Sequence, residues 1–245
     1  MPDDIANARV ENPDGEIPAL IICEHASNHV PAELSDLGLS SDILATHIAW
    51  DPGALEVARG LAEMLNASLV HATVSRLVID LNRDPSAADS IVTHGEHAPI
   101  PGNIALSSAE RLRRVQHIYE PFHRSVKQKL DQRLDMKAVI SVHSFTPILR
   151  GKTRPWHLGF IYDADDRLAR HVTAALSKDP QLIVGLNEPY NVSHGVYHTL
   201  ERHACRRGLA PLMIEIRNDL IRDRASQKAM ARRLAPLLAK AVDAL

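Results

Sequence analysis

The chain alternates short apolar runs with stretches in which apolar residues recur at helical spacing. The first run, IPALIIC over 17–23, is rich in β-branched residues and is followed by the polar segment EHASNHVP, a pattern typical of a buried strand that enters a loop. From Asp51 the segment DPGALEVARGLAEMLNA repeats apolar residues with a helical period and predicts a helix over 52–65.

The later segments repeat this alternation. SLVHATVS and RLVIDLNRDP predict a strand or a strand pair that ends at Asn82, followed by a long loop over 86–103. A helix is then predicted from Ser107 to about Lys137, kinked or divided at Pro121. The remaining predicted elements are strand KAVISVHSFTP, strand WHLGFIYD, helix 166–177, strand QLIVGL, helix 196–206, strand LAPLMIEI and helix 223–244. Strands that alternate with helices predict an open α/β sheet with helices on both faces, and such sheets bind ligands at the carboxyl ends of their strands.

Composition narrows the class of protein. A length of 245 residues, with 45% hydrophobic and 24% charged residues, fits one folded domain over 1–245, in which the polar residues 1–16 are expected to be a flexible leader. With 28 Lys and Arg against 30 Asp and Glu, the chain carries no field that would attract nucleic acid or a lipid surface. We therefore expect a small-molecule partner.

The predicted location is the cytoplasm. Cys23 and Cys205 are too few for a disulfide framework, fit a reducing compartment and are expected to be small buried hydrophobes. The acidic N-terminal segment MPDDIANARVENPDGEIP does not resemble a signal peptide, and no run of about 18 apolar residues predicts a membrane span.

Histidine is over-represented, with 14 copies. Two of these histidines, and one glutamate, each stand at or near the end of a separate apolar run. His25 follows IIC-Glu24, His143 follows ISV, and Glu215 follows LMI. A charged side chain at a buried strand end is costly unless it is paired or binds something. Either histidine alone is more simply interpreted as a hydrogen-bonded core residue, but together the three predict a shared site.

A catalytic zinc ion is usually held by three protein ligands, mostly histidines with one carboxylate, and it lowers the pKa of water in its open position. His25 and His143 would supply the imidazoles. Spacing does not choose the third ligand among Glu24, Asn28 and Asp51, although an acid is chemically preferable to an amide.

Glu215 could serve as the general base that takes a proton from water and passes it to the leaving amine. The alternative interpretation is an ion pair with Arg217 in the same segment, LMIEIRND.

In SRLVIDLNRDP, Arg76, Asn82 and Arg83 could bind a substrate carboxylate, because a guanidinium grips a carboxylate with two parallel hydrogen bonds. The alternative is a network that stabilises the loop through Asp80 and Asp84.

Motifs of several other enzyme classes are missing from the sequence. It contains no GxSxG, GxxxxGK[ST], HExxH or CxxC segment, so serine-hydrolase, P-loop, zincin and thiol-redox chemistry have no support. His94 and His97, in the Gly- and Pro-containing loop, are expected to be surface residues rather than ligands.

The chain resembles the N-formylglutamate amidohydrolase family in five segments that occur in the same order. They are CEHASNHVP (23–31), HIAWDPGA (47–54), SRLVIDLNRDP (75–85), SVHSF (141–145) and IEIRNDL (214–220). That family is similar to the zinc carboxypeptidase and aspartoacylase group. The resemblance implies a phosphorylase/hydrolase-like fold, with a mixed central sheet in a three-layer α/β/α arrangement. It also implies a zinc-dependent cytoplasmic enzyme that converts N-formyl-L-glutamate and water to formate and L-glutamate. This reaction is a step of histidine degradation.

The resemblance also implies residue roles. His25 and His143 match metal ligands, Glu215 the general base, Asn82 and Arg83 the grip on the substrate carboxylate, and Arg76 an arginine that polarises the scissile carbonyl. The aspartoacylase-like pattern has an HxxE pair where this chain has His25 and Asn28, so we expect Asp51 to be the carboxylate ligand, with Glu24 as second choice. The opening segment also differs from the family's usual PHSG, which leaves two alternatives: hydrolysis of another N-acyl amino acid or a small peptide, or an inactive protein that binds acidic ligands.

Overall fold

A mixed sheet runs through the parts of the chain that this computed structural model describes, residues 8–95 and 99–245. The strands are β1 (Ala8–Glu11), β2 (Ala19–Cys23), β3 (Ser68–Ala72), β4 (Ala138–Phe145), β5 (Ile148–Leu149), β6 (Lys152–Thr153), β7 (Leu158–Ile161), β8 (Val184–Leu186) and β9 (Ala210–Arg217). Seven of these described strands form the sheet in the order β1-β3-β2-β4-β9-β7-β8, and β5 and β6 form a separate hairpin.

Helices cover both faces of the sheet. They are α1 (Ser41–Leu44), α2 (Ala54–Leu65), α3 (Ser108–Arg114), α4 (Glu120–Asp131), α5 (Arg167–Leu176), α6 (His198–His203) and α7 (Arg224–Asp243). Successive strand residues point to opposite faces, so in β2 Ile21 packs with α2, α5 and α7, whereas Leu20 and Ile22 pack with α4 and α6. This three-layer α/β/α arrangement confirms the predicted fold class.

Strand direction decides where a site can form. β3, β2, β4 and β9 are parallel to their neighbours in this order, while β1 and β7 run antiparallel to β3 and β9. The sheet is therefore mixed, as predicted, and the carboxyl ends of β2, β4 and β9 lie side by side at one edge of the central layer.

The first described residues form an edge strand where the sequence predicted a leader. β1 pairs antiparallel with β3. Its last residue, Glu11, accepts hydrogen bonds from Arg59 Nε at 3.1 Å and from His71 Nε2 at 2.9 Å, which anchor the strand. The expectation of a flexible leader over 1–16 is therefore wrong for residues 8–11.

The segment RLVIDLNRDP contains no strand, contrary to the prediction. β3 ends at Ala72, and residues 76–85 follow a series of turns. Leu77, Val78, Ile79 and Leu81 are nevertheless fully buried, so the apolar run reflects burial in the core rather than pairing in the sheet.

The long helical segment is continuous through Pro121. A π-helical turn over Val115–Tyr119 joins α3 to α4, and Pro121 lies in the first turn of α4. Because proline has no N–H, the preceding carbonyls need another arrangement, and a wider turn provides it. The predicted interruption is thus a local widening of the helix.

Two smaller expectations can also be compared with the structure. Cys23 is buried, but Cys205 is exposed, so the prediction of two buried cysteines is wrong for Cys205. No helix in the described part of the chain has the length and apolar character needed to cross a membrane.

Candidate active site

Ionisable side chains from three neighbouring strand ends line one small cavity. His25 lies two residues beyond β2, His143 lies in β4, and Glu215 lies in β9, where the strand register places it directly beside His143. All three line a cavity of about 120 Å³. The three residues that the sequence placed at apolar strand ends are therefore brought together by the strand order β2-β4-β9.

Asp51 joins the two histidines in a buried group. Its Oδ2 lies 2.9 Å from Nδ1 of His143 and 3.5 Å from Nδ1 of His25. The Asp51 N–H donates to the His25 carbonyl at 2.9 Å, which fixes the residue that precedes α2 against the loop after β2. In the described part of the chain, His25, Asp51 and His143 form a group that could hold a metal ion, because one ligand atom from each side chain lies within 4.8 Å of the other two.

Each histidine of this group has a carboxylate on the far side of its ring. Nε2 of His25 lies 2.7 Å from Asp80 Oδ1, and Nε2 of His143 lies 3.2 Å from Glu24 Oε2. Ser141 donates a hydrogen bond to the same Glu24 oxygen at 2.7 Å. Asp80 favours the proton on Nε2 of His25. In His143 the hydrogen bond joins Nδ1 to Asp51, so binding of a metal ion at that nitrogen requires its proton to move to Nε2, which faces Glu24.

Three carboxylates, those of Glu24, Asp51 and Asp80, surround the two imidazoles. Burial lowers the pKa of His143, but the Glu24 and Asp51 carboxylates outweigh it and hold that pKa well above its usual value. Burial likewise lowers the pKa of His25, whereas Asp80 raises it, and the net result is an increase. The surrounding acids thus stabilise additional positive charge between the two rings, which protons or a metal cation can supply.

This donor set fits a divalent metal ion. Two imidazole nitrogens and one carboxylate oxygen converge, and each imidazole has the carboxylate partner that metal-binding histidines usually have. One contact competes, because Arg76 NH1 lies 3.2 Å from His25 Nδ1. That nitrogen has a single lone pair in the ring plane, so metal binding there requires the Arg76 contact to be released.

Arg76 is tied to the segment before Asp51. Its Nε donates to the Ile48 carbonyl at 3.1 Å, and its NH2 donates to the carbonyls of His47 and Trp50. NH2 also lies 2.8 Å from Asp51 Oδ1. Because the guanidinium is planar, these contacts also hold NH1, which lies against His25 Nδ1 at the wall of the cavity and could contact a carbonyl oxygen there.

The Glu215 carboxylate is buried without a hydrogen-bond partner for Oε2. Burial raises its pKa to about 7, His143 opposes the rise, and Asp51 adds to it. The ion pair with Arg217 that the sequence left open is not what the structure shows, since Arg217 Nε donates to Asp219 at 2.7 Å. Glu215 is therefore positioned to accept a proton near neutral pH.

Arg83 and Asn82 lie on another wall of the cavity. Arg83 Nε is 3.4 Å from Asp89, and its NH1 donates to the His194 carbonyl. The Asn82 amide donates to the Val196 carbonyl and accepts from the Thr199 N–H at 3.0 Å. Asn82 thus holds the segment over 196–199 in place, and its predicted contact with a substrate carboxylate remains a prediction.

Several cavity residues were not found from the sequence. His47, Ser144, Tyr190 and Val196 complete the lining. The structure also gives Asp80 and Glu24 a role as partners of the histidines, although the sequence suggested only a loop network for Asp80 and a metal ligand for Glu24. The position of Glu24 next to His25 was a usable signal for an acid at the site, whereas Asp80 is distant in sequence from both histidines and Tyr190 lies in a loop without a hydrophobic pattern.

Other candidates lie outside this group. The Asn28 amide donates to the Leu44 carbonyl at 3.0 Å and does not line the cavity, so it takes no part in the His25 and His143 group. His94 is exposed, in agreement with the prediction of a surface residue, and His97 lies outside the described residues.

Comparison with known proteins identifies the family. The model of the N-formylglutamate amidohydrolase family matches residues 17–222, which include every residue of the site described above. The chain belongs to the N-formylglutamate amidohydrolase family. None of the curated proteins matches it.

Two solved structures show how far the family fold extends. A gene product of Agrobacterium tumefaciens is 42% identical, with a TM-score of 0.93 over 97% of this chain and 95% of that one. An N-formylglutamate amidohydrolase from Ralstonia eutropha is 21% identical, with a TM-score of 0.72 over 98% of both chains. The first likeness covers nearly the whole chain at substantial identity, and the second shows the shared fold.

The contacts around His25 give a first prediction for this member of the amidohydrolase family. Asp80→Asn removes the charge that pairs with His25 Nε2 while retaining an oxygen acceptor, so we expect metal affinity to fall about 10- to 100-fold. The measurement is competition with a chromophoric chelator. Asp84→Asn, in the same segment but exposed, is the matched control, and equal affinity in both variants would contradict the role of Asp80.

Proposed function

We propose that this protein is a metal-dependent hydrolase of the amide bond of an N-acyl amino acid, with N-formyl-L-glutamate as the first substrate to test. The observation that carries the proposal is the buried Glu215 oxygen without a partner, beside the group of His25, Asp51 and His143, in a member of an amidohydrolase family. An unpaired carboxylate in such a place is costly for folding and is expected where it performs chemistry.

His25, His143 and Asp51 would hold the metal ion, and zinc is the ion that suits two imidazoles and a carboxylate best. When bound, it would lower the pKa of water and polarise a carbonyl group.

The other residues would orient the substrate and move one proton. Arg83 would bind the substrate carboxylate, with Asn82 supporting the loop beside it, and Arg76 NH1 would donate to the scissile carbonyl oxygen. Glu215 would take a proton from the attacking water as the new carbon–oxygen bond forms. It would then give this proton to the amide nitrogen as the carbon–nitrogen bond breaks, so that the products are a carboxylate and a free amino acid.

The experiment is an assay of purified protein before and after removal of metal. We expect about one equivalent of zinc per chain, release of formate from N-formyl-L-glutamate, loss of that activity on dialysis against a chelator, and recovery on adding zinc. Metal content is measured by mass spectrometry and formate by an enzyme-coupled assay. Activity that survives complete removal of metal would contradict the proposal, as would tight binding of N-acyl amino acids without turnover, which would favour an inactive binding protein.

A further inference from the structure

A second and larger cavity opens directly beside the site. Its volume is about 770 Å³, in the range of pockets that enclose small organic ligands, and it shares His47, Arg76 and Asp80 with the small cavity around Glu215. The two cavities are therefore adjacent, with His47, Arg76 and Asp80 contributing to the walls of both.

Much of the wall of this larger cavity, which we call the apolar cavity, is apolar. Its apolar side chains come from the segments around α1, the turns and loop after Ser75 and the β5–β6 hairpin, and include Leu39, Ile43, Ile48, Leu77, Val92 and Ile148. Asp89, His94 and Arg150 also line the cavity. Ile148 is 57% exposed, and covering exposed apolar surface of this kind with an apolar group is favourable because it removes that surface from water.

The positions of the two arginines indicate which part of the substrate would enter the apolar cavity. Arg83 lines the small cavity but is absent from the wall of the apolar cavity, whereas Arg76 lines both. If Arg83 binds the amino acid carboxylate and Arg76 the scissile carbonyl, the substituent on the other side of that carbonyl extends past Arg76. A formyl group has only a hydrogen atom there and would leave the apolar wall uncovered.

We propose that the apolar cavity is an acyl-binding site and that the preferred substrates are N-acyl amino acids with a medium-length aliphatic acyl chain. This inference rests on the proposed function, because it takes the orientation of the substrate from Arg76 and Arg83. It specifies the substrate class more narrowly: a carboxylate at one end, the amide at the centre, and an alkyl chain at the other end.

The test compares N-acyl-L-glutamates that differ only in acyl length. Each methylene buried in the cavity is expected to raise kcat/KM about fourfold, so that N-hexanoyl-L-glutamate, with four methylenes more, exceeds N-acetyl-L-glutamate by about 250-fold. Ile148→Asp places a charge in the wall and should lower the ratio of kcat/KM for the hexanoyl compound to that for the acetyl compound at least tenfold. Ile183→Asp is the matched control, because Ile183 is also exposed but lies outside the cavity. A kcat/KM that is flat or falls with acyl length would overturn the proposal.

Binding of N-alkylsulfonyl-L-glutamates, which cannot be hydrolysed, separates failure of this inference from failure of the proposed function. Calorimetry with the protein in its purified state should show an affinity that rises with alkyl length and that Ile148→Asp reduces. Such a rise without any hydrolysis would retain the acyl site and overturn the proposed function. Hydrolysis of N-formyl-L-glutamate with no dependence of affinity on length would do the reverse.

Discussion

Replacement of Glu215 by glutamine is expected to lower kcat about a thousandfold while the protein keeps its metal. Glutamine has nearly the same shape as glutamate, and the position is buried beside His143, so the fold should not change. The amide cannot accept the proton that the carboxylate, with its pKa near 7, would take from water. Loss of a general base at such a position typically costs 10²- to 10⁴-fold. The measurement is kcat on N-formyl-L-glutamate and on the best N-acyl-L-glutamate, alongside metal content.

Glu63→Gln is the matched control, because this substitution makes the same chemical change at an exposed residue of α2 that does not line the cavity. Unchanged kcat in Glu215→Gln would exclude this residue as the base. Loss of metal together with activity would instead indicate that Glu215 is a ligand. Proton transfer and metal binding are thereby distinguished with a single variant, provided that both quantities are measured on the same sample.

The convergence of His25, His143 and Glu215 could be predicted from the sequence for a physical reason. Each residue follows an apolar run of the kind that forms a buried strand, and a parallel α/β sheet brings the carboxyl ends of its strands to one edge. The sequence cannot specify which strands are neighbours, and only the order β2-β4-β9 places the three side chains around one cavity.

Contacts made by loops were harder to predict. RLVIDLNRDP has the composition of a strand, yet its backbone turns and its apolar side chains are buried all the same, because burial and strand pairing select the same residue types. As a result, Asp80 reaches His25 from a turn, and no local pattern predicts this contact between residues 55 positions apart. Tyr190 joins the cavity from a loop with no hydrophobic period at all.

The edge strand β1 illustrates a different limit. The segment over residues 8–11 is short and half polar, so its pattern resembles that of a flexible leader. Its position depends on two partners that are distant in sequence, Arg59 and His71. Long-range pairing of this kind has no local signature. Similarly, the choice of Asp51 over Glu24 as the carboxylate closest to both imidazoles depends on the loop before α2, whose geometry spacing alone does not determine.

Asp51→Asn is expected to reduce metal affinity by more than the 10- to 100-fold predicted for Asp80→Asn, because it changes an atom proposed to bind the metal rather than one that supports a ligand. The Asp51 carboxylate lies within 3.5 Å of Nδ1 of both histidines and carries charge that a neutral amide lacks. Amides are poor ligands for zinc compared with carboxylates. The measurement is chelator competition, with circular dichroism to confirm folding.

Asp42→Asn, exposed in α1, is the control for this substitution. The visible spectrum of the cobalt-substituted protein adds a test that a purely structural role would not affect, since exchange of a ligand changes the coordination geometry and therefore the absorption bands. An unchanged spectrum and unchanged affinity in Asp51→Asn would exclude Asp51 as a ligand. In that case Glu24, whose Oε2 lies 3.2 Å from Nε2 of His143, becomes the carboxylate to test, and Glu24→Gln should then lose the metal. Because Glu24 and Asp51 lie on opposite edges of the His143 ring, the two variants also reveal which ring nitrogen binds the metal.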